Sequence, residues 1–211
     1  MFFMLLLLIF LGVAAGCWFQ GLWANAINVV AILLSGLIAL NFFEPAATLV
    51  ESFVPGLTYV FDFLMLWALF ALAFGALRGL AEQLDKNWVP FPLPVEMAGR
   101  SILALWCGWL MMSFTAFTLQ IAPLGAENPL GAWESPTDPT FFGMNPERQW
   151  AAFAHSRSRG ALARGKFSDA PTHPDDQEAD VEAFDPVGNL IYKYHTRRKN
   201  LAAAEGLQVT R

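Results

Sequence analysis

Four long apolar runs alternate with short polar stretches over the first 122 residues, and a polar segment follows them. The runs cover about residues 2–19, 22–43, 57–77 and 101–121. Each run is close to the roughly 20 residues that an α-helix needs to cross a hydrocarbon core about 30 Å thick. The pattern therefore predicts an all-α integral membrane protein, with four transmembrane helices in residues 1–122 and a soluble tail in residues 123–211.

The tail is predicted to be largely irregular, with short helices and one short strand. An amphipathic helix is expected over residues 146–166, which can lie on anionic lipid or pack its aromatic side on the tail itself. Residues 168–182 are acidic, carry prolines and have almost no hydrophobic side chains, so we expect a disordered linker. Residues 184–205 form a short ordered segment, in which alternation predicts a strand over Leu190–His195 before a last helix. This segment is too small to be stable alone, so we expect it to dock on a partner or on the bundle's loops.

The overall composition agrees with a lipid environment. Hydrophobic residues make up 55% of the 211 residues and charged residues 15%, and the mean hydropathy is +0.42. The net charge of -5 lacks the basic excess that nucleic-acid binding requires, so no nucleic-acid partner is expected. Cys17 and Cys107 both lie inside apolar runs, which is more typical of small packing residues than of a disulfide or a metal pair.

The positions of the cationic residues predict the orientation of the helices. Before residue 148 the chain has three Lys or Arg side chains, Arg78, Lys86 and Arg100, all within the segment that separates the third and fourth runs. Short loops that carry Lys and Arg stay on the cytoplasmic side of a membrane. We therefore expect a multi-pass protein of the cell inner (plasma) membrane with loop 78–100 cytoplasmic, and with both termini and the tail external or periplasmic.

Few polar residues interrupt the apolar runs, and each has two interpretations. Asn25 and Asn28 are three residues apart and so share a helix face, where they either bond another helix or contact a substrate or ion. Asp62 lies about one turn into the third run. Its carboxylate either anchors the helix end near the headgroups or takes part in a proton or ion relay.

Small residues recur four apart in every run, which lets helix backbones approach closely. The pairs are Gly12 and Gly16, Ala31 and Ser35, Gly75 and Gly79, and Ala104 and Gly108. They predict a compact helical bundle or a homo-oligomer.

The sequence offers no residues on which to base catalysis. The three histidines lie in the tail, 18 and 22 residues apart, without neighbouring ligands at metal-site spacing. Nucleophile, metalloprotease and phosphate-loop motifs do not occur. We therefore expect a non-enzyme that needs no metal or cofactor.

Several segments of residues 1–122 resemble one family of bacterial inner-membrane proteins, the colicin V production family. The resemblance is carried by Gly12, Gly16, Gly21, the helix NAINVVAILLSGLIAL, and the segments ALRGLAEQLDK and AGRSILALWCGW. It implies a role in envelope maintenance and in the secretion or production of a peptide toxin, and it implies no catalytic residues.

Two functions remain open from the sequence. The first is a non-enzymatic scaffold or accessory subunit of a cell-envelope or toxin-secretion assembly, whose partners are the bilayer and other membrane or envelope proteins. The second is a small transporter or channel, in which Asn25, Asn28, Asn41 and Asp62 line a polar path.

Overall fold

The computed structural model describes residues 2–51, 58–84, 91–122, 140–158 and 190–203. Within these residues all regular secondary structure is helical, in agreement with the predicted class. The helices are α1 (Phe2–Trp18), α2 (Leu22–Glu51), α3 (Thr58–Leu84), α4 (Leu93–Ile121), a 3-10 turn (Phe141–Gly143), α5 (Pro146–Ser158) and α6 (Leu190–Ala203).

Three helices, α2, α3 and α4, are long and apolar enough to cross a membrane. The first helix has 17 residues, which gives it a length of about 25 Å at about 1.5 Å per residue. That length is below the hydrocarbon thickness of about 30 Å. By length and composition the described residues thus supply three candidate spans, where the sequence predicted four.

Two helices extend beyond the predicted runs and include prolines. The second helix continues past Pro45 to Glu51, because Phe43 and Ala47 on either side of the proline are buried, so the extra turns gain packing against the bundle. The fourth helix begins at Leu93, eight residues before the predicted start. Pro94 is tolerated there because the backbone N–H groups of the first helical turn have no acceptor within the helix, so the missing N–H of proline costs no helical hydrogen bond.

The predicted strand over Leu190–His195 is wrong, since these residues begin α6. Leu190 and Tyr194 are four apart and both are buried, which is the spacing of a helix face, while Tyr192 is 53% exposed. Helix α5 covers Pro146–Ser158 of the helix predicted over 146–166, and residues 159–166 lie outside the described residues. The predicted linker over 168–182 and Lys86 lie outside the described residues.

The long helices form two layers around a shared core. Helix α2 packs mainly on α3, α1 packs mainly on α4, and α2 also contacts α4, so α2 and α4 occupy the centre. Helix α5 packs on α4 and α2, and α6 packs on α4. One hydrophobic cluster includes buried side chains from all six helices. The tail helices are therefore part of the same packed body as the bundle.

A tryptophan of α5 fixes this helix against the middle of α4. The indole Nε1 of Trp150 donates a hydrogen bond of 2.8 Å to the carbonyl oxygen of Leu110. The ring lies so close to Gly36 that a Cβ added there would be 2.6 Å from the ring. Glycine at this position is thus needed for the ring to reach α2.

The predicted small-residue pairs occupy different environments. Gly108 lies at the α1–α4 contact, where an added Cβ would be 2.7 Å from the carbonyl oxygen of Phe10, and Ala104 on the same helix is buried. For four others, no described atom comes within 4 Å of an added Cβ. These are Gly12, Gly16, Gly75 and Gly79. Among the glycines of these pairs, Gly108 alone mediates a close helix contact within the described chain.

Candidate functional site

The first polar cluster lies at the end of the bundle where α1 turns into α2, α3 ends and α4 begins, which we call the loop-side end. Gly21 forms the turn with a φ of 89°, a left-handed conformation that favours glycine. The next residue, Leu22, donates its backbone N–H to Glu96 Oε1 at 2.9 Å. A carboxylate at a helix N-terminus satisfies a free donor and complements the helix dipole. The turn between α1 and α2 is in this way tied to α4.

Arg78 connects the third helix to the second at this end. Its guanidinium donates to Asn28 Oδ1, to the carbonyl oxygen of Ala24 at 3.5 Å and to Glu82 Oε1 at 2.8 Å. Asn28 in turn donates through Nδ2 to Gln20 Oε1 at 2.9 Å. The amide of Asn28 therefore bonds between helices, which is the first of the two roles that the sequence left open.

Asn25 shares a helix face with Asn28 but does not join this network. The side chain is 0% exposed, and neither its Oδ1 nor its Nδ2 has a hydrogen-bond partner among the described residues. The backbone carbonyl of Asn25 accepts a hydrogen bond from Cys107 Sγ at 3.8 Å. Cys17 and Cys107 are both buried free thiols, and Cys17 Sγ accepts a hydrogen bond from Asn28 Nδ2 at 4.0 Å.

A pocket of about 570 Å³ opens beside this cluster, and we call it the loop-side pocket. Its charged lining residues are Arg78, Glu82, Glu96 and Arg100, and its largest apolar lining residues are Phe19, Trp23, Ile27 and Phe91. The guanidinium of Arg100 lies over the ring of Trp18, 5.0 Å from its centroid. The Nε–H of Arg100 is shielded from solvent and has no acceptor among the described residues.

The second polar cluster lies at the opposite end of the bundle and joins α6 to α3, and we call it the tail latch. Arg197 Nη1 donates to Asp62 Oδ2 at 2.6 Å, and the hydroxyl of Tyr194 donates to the same oxygen at 3.3 Å. A more exposed ion pair joins Lys193 to Glu44 on α2 at 3.3 Å. Asp62 is 8% exposed, so the tail covers the carboxylate that the sequence singled out.

Tyr194 is held as a hydrogen-bond donor in this latch. Burial of the phenol, and then the negative charge of the neighbouring Asp62, raise the pKa of Tyr194 well above its ordinary value. The phenol therefore stays protonated and donates to the carboxylate.

Aromatic side chains fill the bundle between the two polar clusters. The ring of Phe114 stacks on Phe70 at 4.4 Å and meets Trp67 at 5.5 Å and Trp150 at 5.3 Å, measured between ring centroids. Asn41 donates to the carbonyl oxygen of Leu37 in its own helix at 2.8 Å. The structure thus places Asn28 and Asp62 at opposite ends, with a packed aromatic layer between them.

The sequence did not identify the partners of these polar residues. Gln20 and Glu96 are single polar residues near helix ends, which are common on any surface. Arg197 lies 135 residues from Asp62, a separation that no local sequence pattern bridges. The available signal was the unbalanced carboxylate of Asp62, which predicts that some cation must lie nearby.

In the part of the chain that the structure describes, the fold is all-helical and contains three helices long and apolar enough to cross a membrane. Comparison with protein-family models, with curated proteins and with solved structures gives no match for this chain.

Proposed function

We propose that the chain is an integral protein of a bacterial inner membrane with four crossings, the short α1 serving as the first. The antiparallel packing of α1 on α4 along the core supports this arrangement. A span of 17 residues is accommodated by local thinning of the bilayer at a cost of fractions of a kcal/mol per Å. Loop 78–100 is cytoplasmic, and both termini and the tail are periplasmic, because Arg78 and Arg100 lie at the loop-side end.

Within this membrane location the protein acts as a non-enzymatic scaffold or accessory subunit of an envelope or toxin-secretion assembly. The resemblance to the colicin V production family implies the same role. The observation that favours a scaffold over a transporter is the tail latch, in which Arg197 and Tyr194 both donate hydrogen bonds to the carboxylate of Asp62. A relay carboxylate must be free to exchange its proton or ion, whereas a carboxylate with fixed partners holds an interaction arm in place.

The alternative is a small transporter or channel with a polar path through Asn25, Asn28, Asn41 and Asp62. One observation favours it, a cavity of about 380 Å³ that reaches inward from Arg78 and Asn28 to Phe70. The aromatic layer around Phe114 separates that cavity from Asp62, so transport requires these rings to move.

The two functions are distinguished by purification and reconstitution of the full chain. A scaffold co-purifies with another envelope protein at a fixed stoichiometry and gives vesicles no ion or solute flux. A transporter gives a flux that the Asp62→Asn variant abolishes. That flux would overturn the scaffold proposal.

A further inference from the structure

We propose that the loop-side pocket binds a membrane phospholipid, and that the guanidinium of Arg100 holds the phosphodiester group. This inference rests on the proposed membrane location, which puts the pocket at the cytoplasmic edge of the bilayer. The pocket combines charged groups with a large apolar wall, the combination that a headgroup and the start of an acyl chain require.

Three of the four charged side chains that line the pocket have a hydrogen-bonding partner. Arg78 bonds Asn28 and Glu82, and Glu96 caps the backbone N–H of Leu22. Arg100 has no ion-pair partner among the described residues, and its shielded Nε–H has no acceptor there. Arg100 lines the pocket, where a phosphate oxygen provides a charge-assisted acceptor with the geometry that guanidinium favours.

The apolar wall of the pocket matches the rest of a phospholipid. Phe19 is 84% exposed, Trp23 is 43% exposed, and both line the pocket beside Ile27. Aromatic side chains are enriched at the headgroup level of a bilayer. An acyl chain that covers Phe19 and Ile27 would bury apolar surface while the phosphate reaches Arg100.

The balance of charge sets the expected selectivity. Arg78 and Arg100 are offset by Glu82 and Glu96, so the pocket differs from the polybasic clusters that select anionic lipids. We therefore expect a zwitterionic phospholipid to bind as well as an anionic one, since both contain the phosphodiester.

The test is native mass spectrometry of the full chain, purified in detergent from nanodiscs that contain equal parts of phosphatidylethanolamine and phosphatidylglycerol. Wild-type protein should retain about one phospholipid of either class. Arg100→Gln should lower the retained fraction about tenfold, the expected loss for one charge-assisted hydrogen bond. Arg157→Gln is the matched control, because Arg157 is exposed on α5 and bonds only the neighbouring Ser156 among its described contacts; this variant should retain lipid as the wild type does.

A second variant tests the pocket without removing a charge. Ala81 lines the pocket, so Ala81→Trp should fill it and displace lipid while Arg100 remains. Retention of lipid by both variants, or retention of the anionic lipid alone, overturns the proposal. Saturable binding of inorganic phosphate without lipid retention also overturns it in favour of a site for a free anion. Resistance of each variant to carbonate extraction shows separately whether the membrane location holds.

Discussion

Replacing Asp62 with asparagine should release α6 from the bundle. The change keeps the shape of the side chain but removes the charge that Arg197 and Tyr194 share. Arg197 then loses its ion pair with Asp62 while its side chain stays largely enclosed, at 27% exposure. Because α6 has 14 residues and a helix of that length is marginal alone in water, its release should also unfold it.

The size of the effect follows from the geometry of the latch. The bond of 2.6 Å between Arg197 Nη1 and Asp62 Oδ2 is short and charge-assisted, and Asp62 is almost fully buried. Hydrogen bonds of this type contribute roughly 1.5 to 3 kcal/mol. We take the loss of this bond as about 2 kcal/mol. Because about 1.4 kcal/mol corresponds to a tenfold change in an equilibrium constant, the docking equilibrium of α6 shifts by about 30-fold. The Tyr194 contact at 3.3 Å is long for a hydroxyl donor and adds little to this figure.

Amide hydrogen exchange in nanodiscs measures this shift directly. The amides of residues 190–203 should exchange up to about 30-fold faster in Asp62→Asn than in the wild type, while the amides of α4 should be unchanged. Glu44→Gln is the matched control, because the Lys193–Glu44 pair is more than half exposed and contributes at most about 1 kcal/mol. Exchange of α6 at the wild-type rate in Asp62→Asn would refute the latch.

Alkaline pH should weaken the same docking through Tyr194. In the undocked helix the phenol ionises near its ordinary pKa of about 10, whereas in the latch its pKa is raised. A raised pKa in the docked state contributes stability that is fully present below pH of about 10 and is lost as the pH rises above it. Exchange of α6 should therefore accelerate above that pH in the wild type, and this part of the pH dependence should disappear in Tyr194→Phe.

Two further substitutions test the bundle and the loop-side end. Gly108→Ala should destabilise the protein by about 1 to 3 kcal/mol in thermal unfolding, because the new Cβ would be 2.7 Å from a backbone oxygen of α1, whereas Gly12→Ala should be tolerated. Asn25→Leu should raise the unfolding temperature, because both polar atoms of the amide are buried without partners among the described residues; a lower temperature would show that the amide has a partner.

The sequence predicted the features that depend on local composition. Long apolar runs predict helices because the backbone must satisfy its own hydrogen bonds where water is excluded, and the described residues are indeed helical. Local signals failed where tertiary packing overrode them. Pro45 lies inside α2 because the flanking residues are buried. Tyr194 lies in a helix that packs on the bundle, where its hydroxyl donates to Asp62, and a contact so distant in sequence leaves no local pattern.

In the candidate site, too, the sequence predicted the features that depend on local spacing and missed those that depend on tertiary packing. The spacing of Asn25 and Asn28 predicted that both amides share one helix face, but it could not show that Arg78 would bond Asn28 and leave Asn25. That difference depends on the register of α3 against α2, which no local pattern determines. Long-range ion pairs are likewise invisible to periodicity, so the role of Asp62 required the structure.

The position of α5 connects the fold to the proposed role as a scaffold. Leu110, which accepts the hydrogen bond from Trp150, lies 11 residues before the end of α4, or about 16 Å along its axis. If α4 crosses the bilayer, α5 therefore enters bilayer depth from the tail side. Its outer face carries the exposed polar residues Gln149, Ser156 and Arg157. A polar face is unfavourable against lipid, so α5 needs either water or a protein surface to cover it, and the proposed scaffold role predicts that an assembly partner supplies that surface.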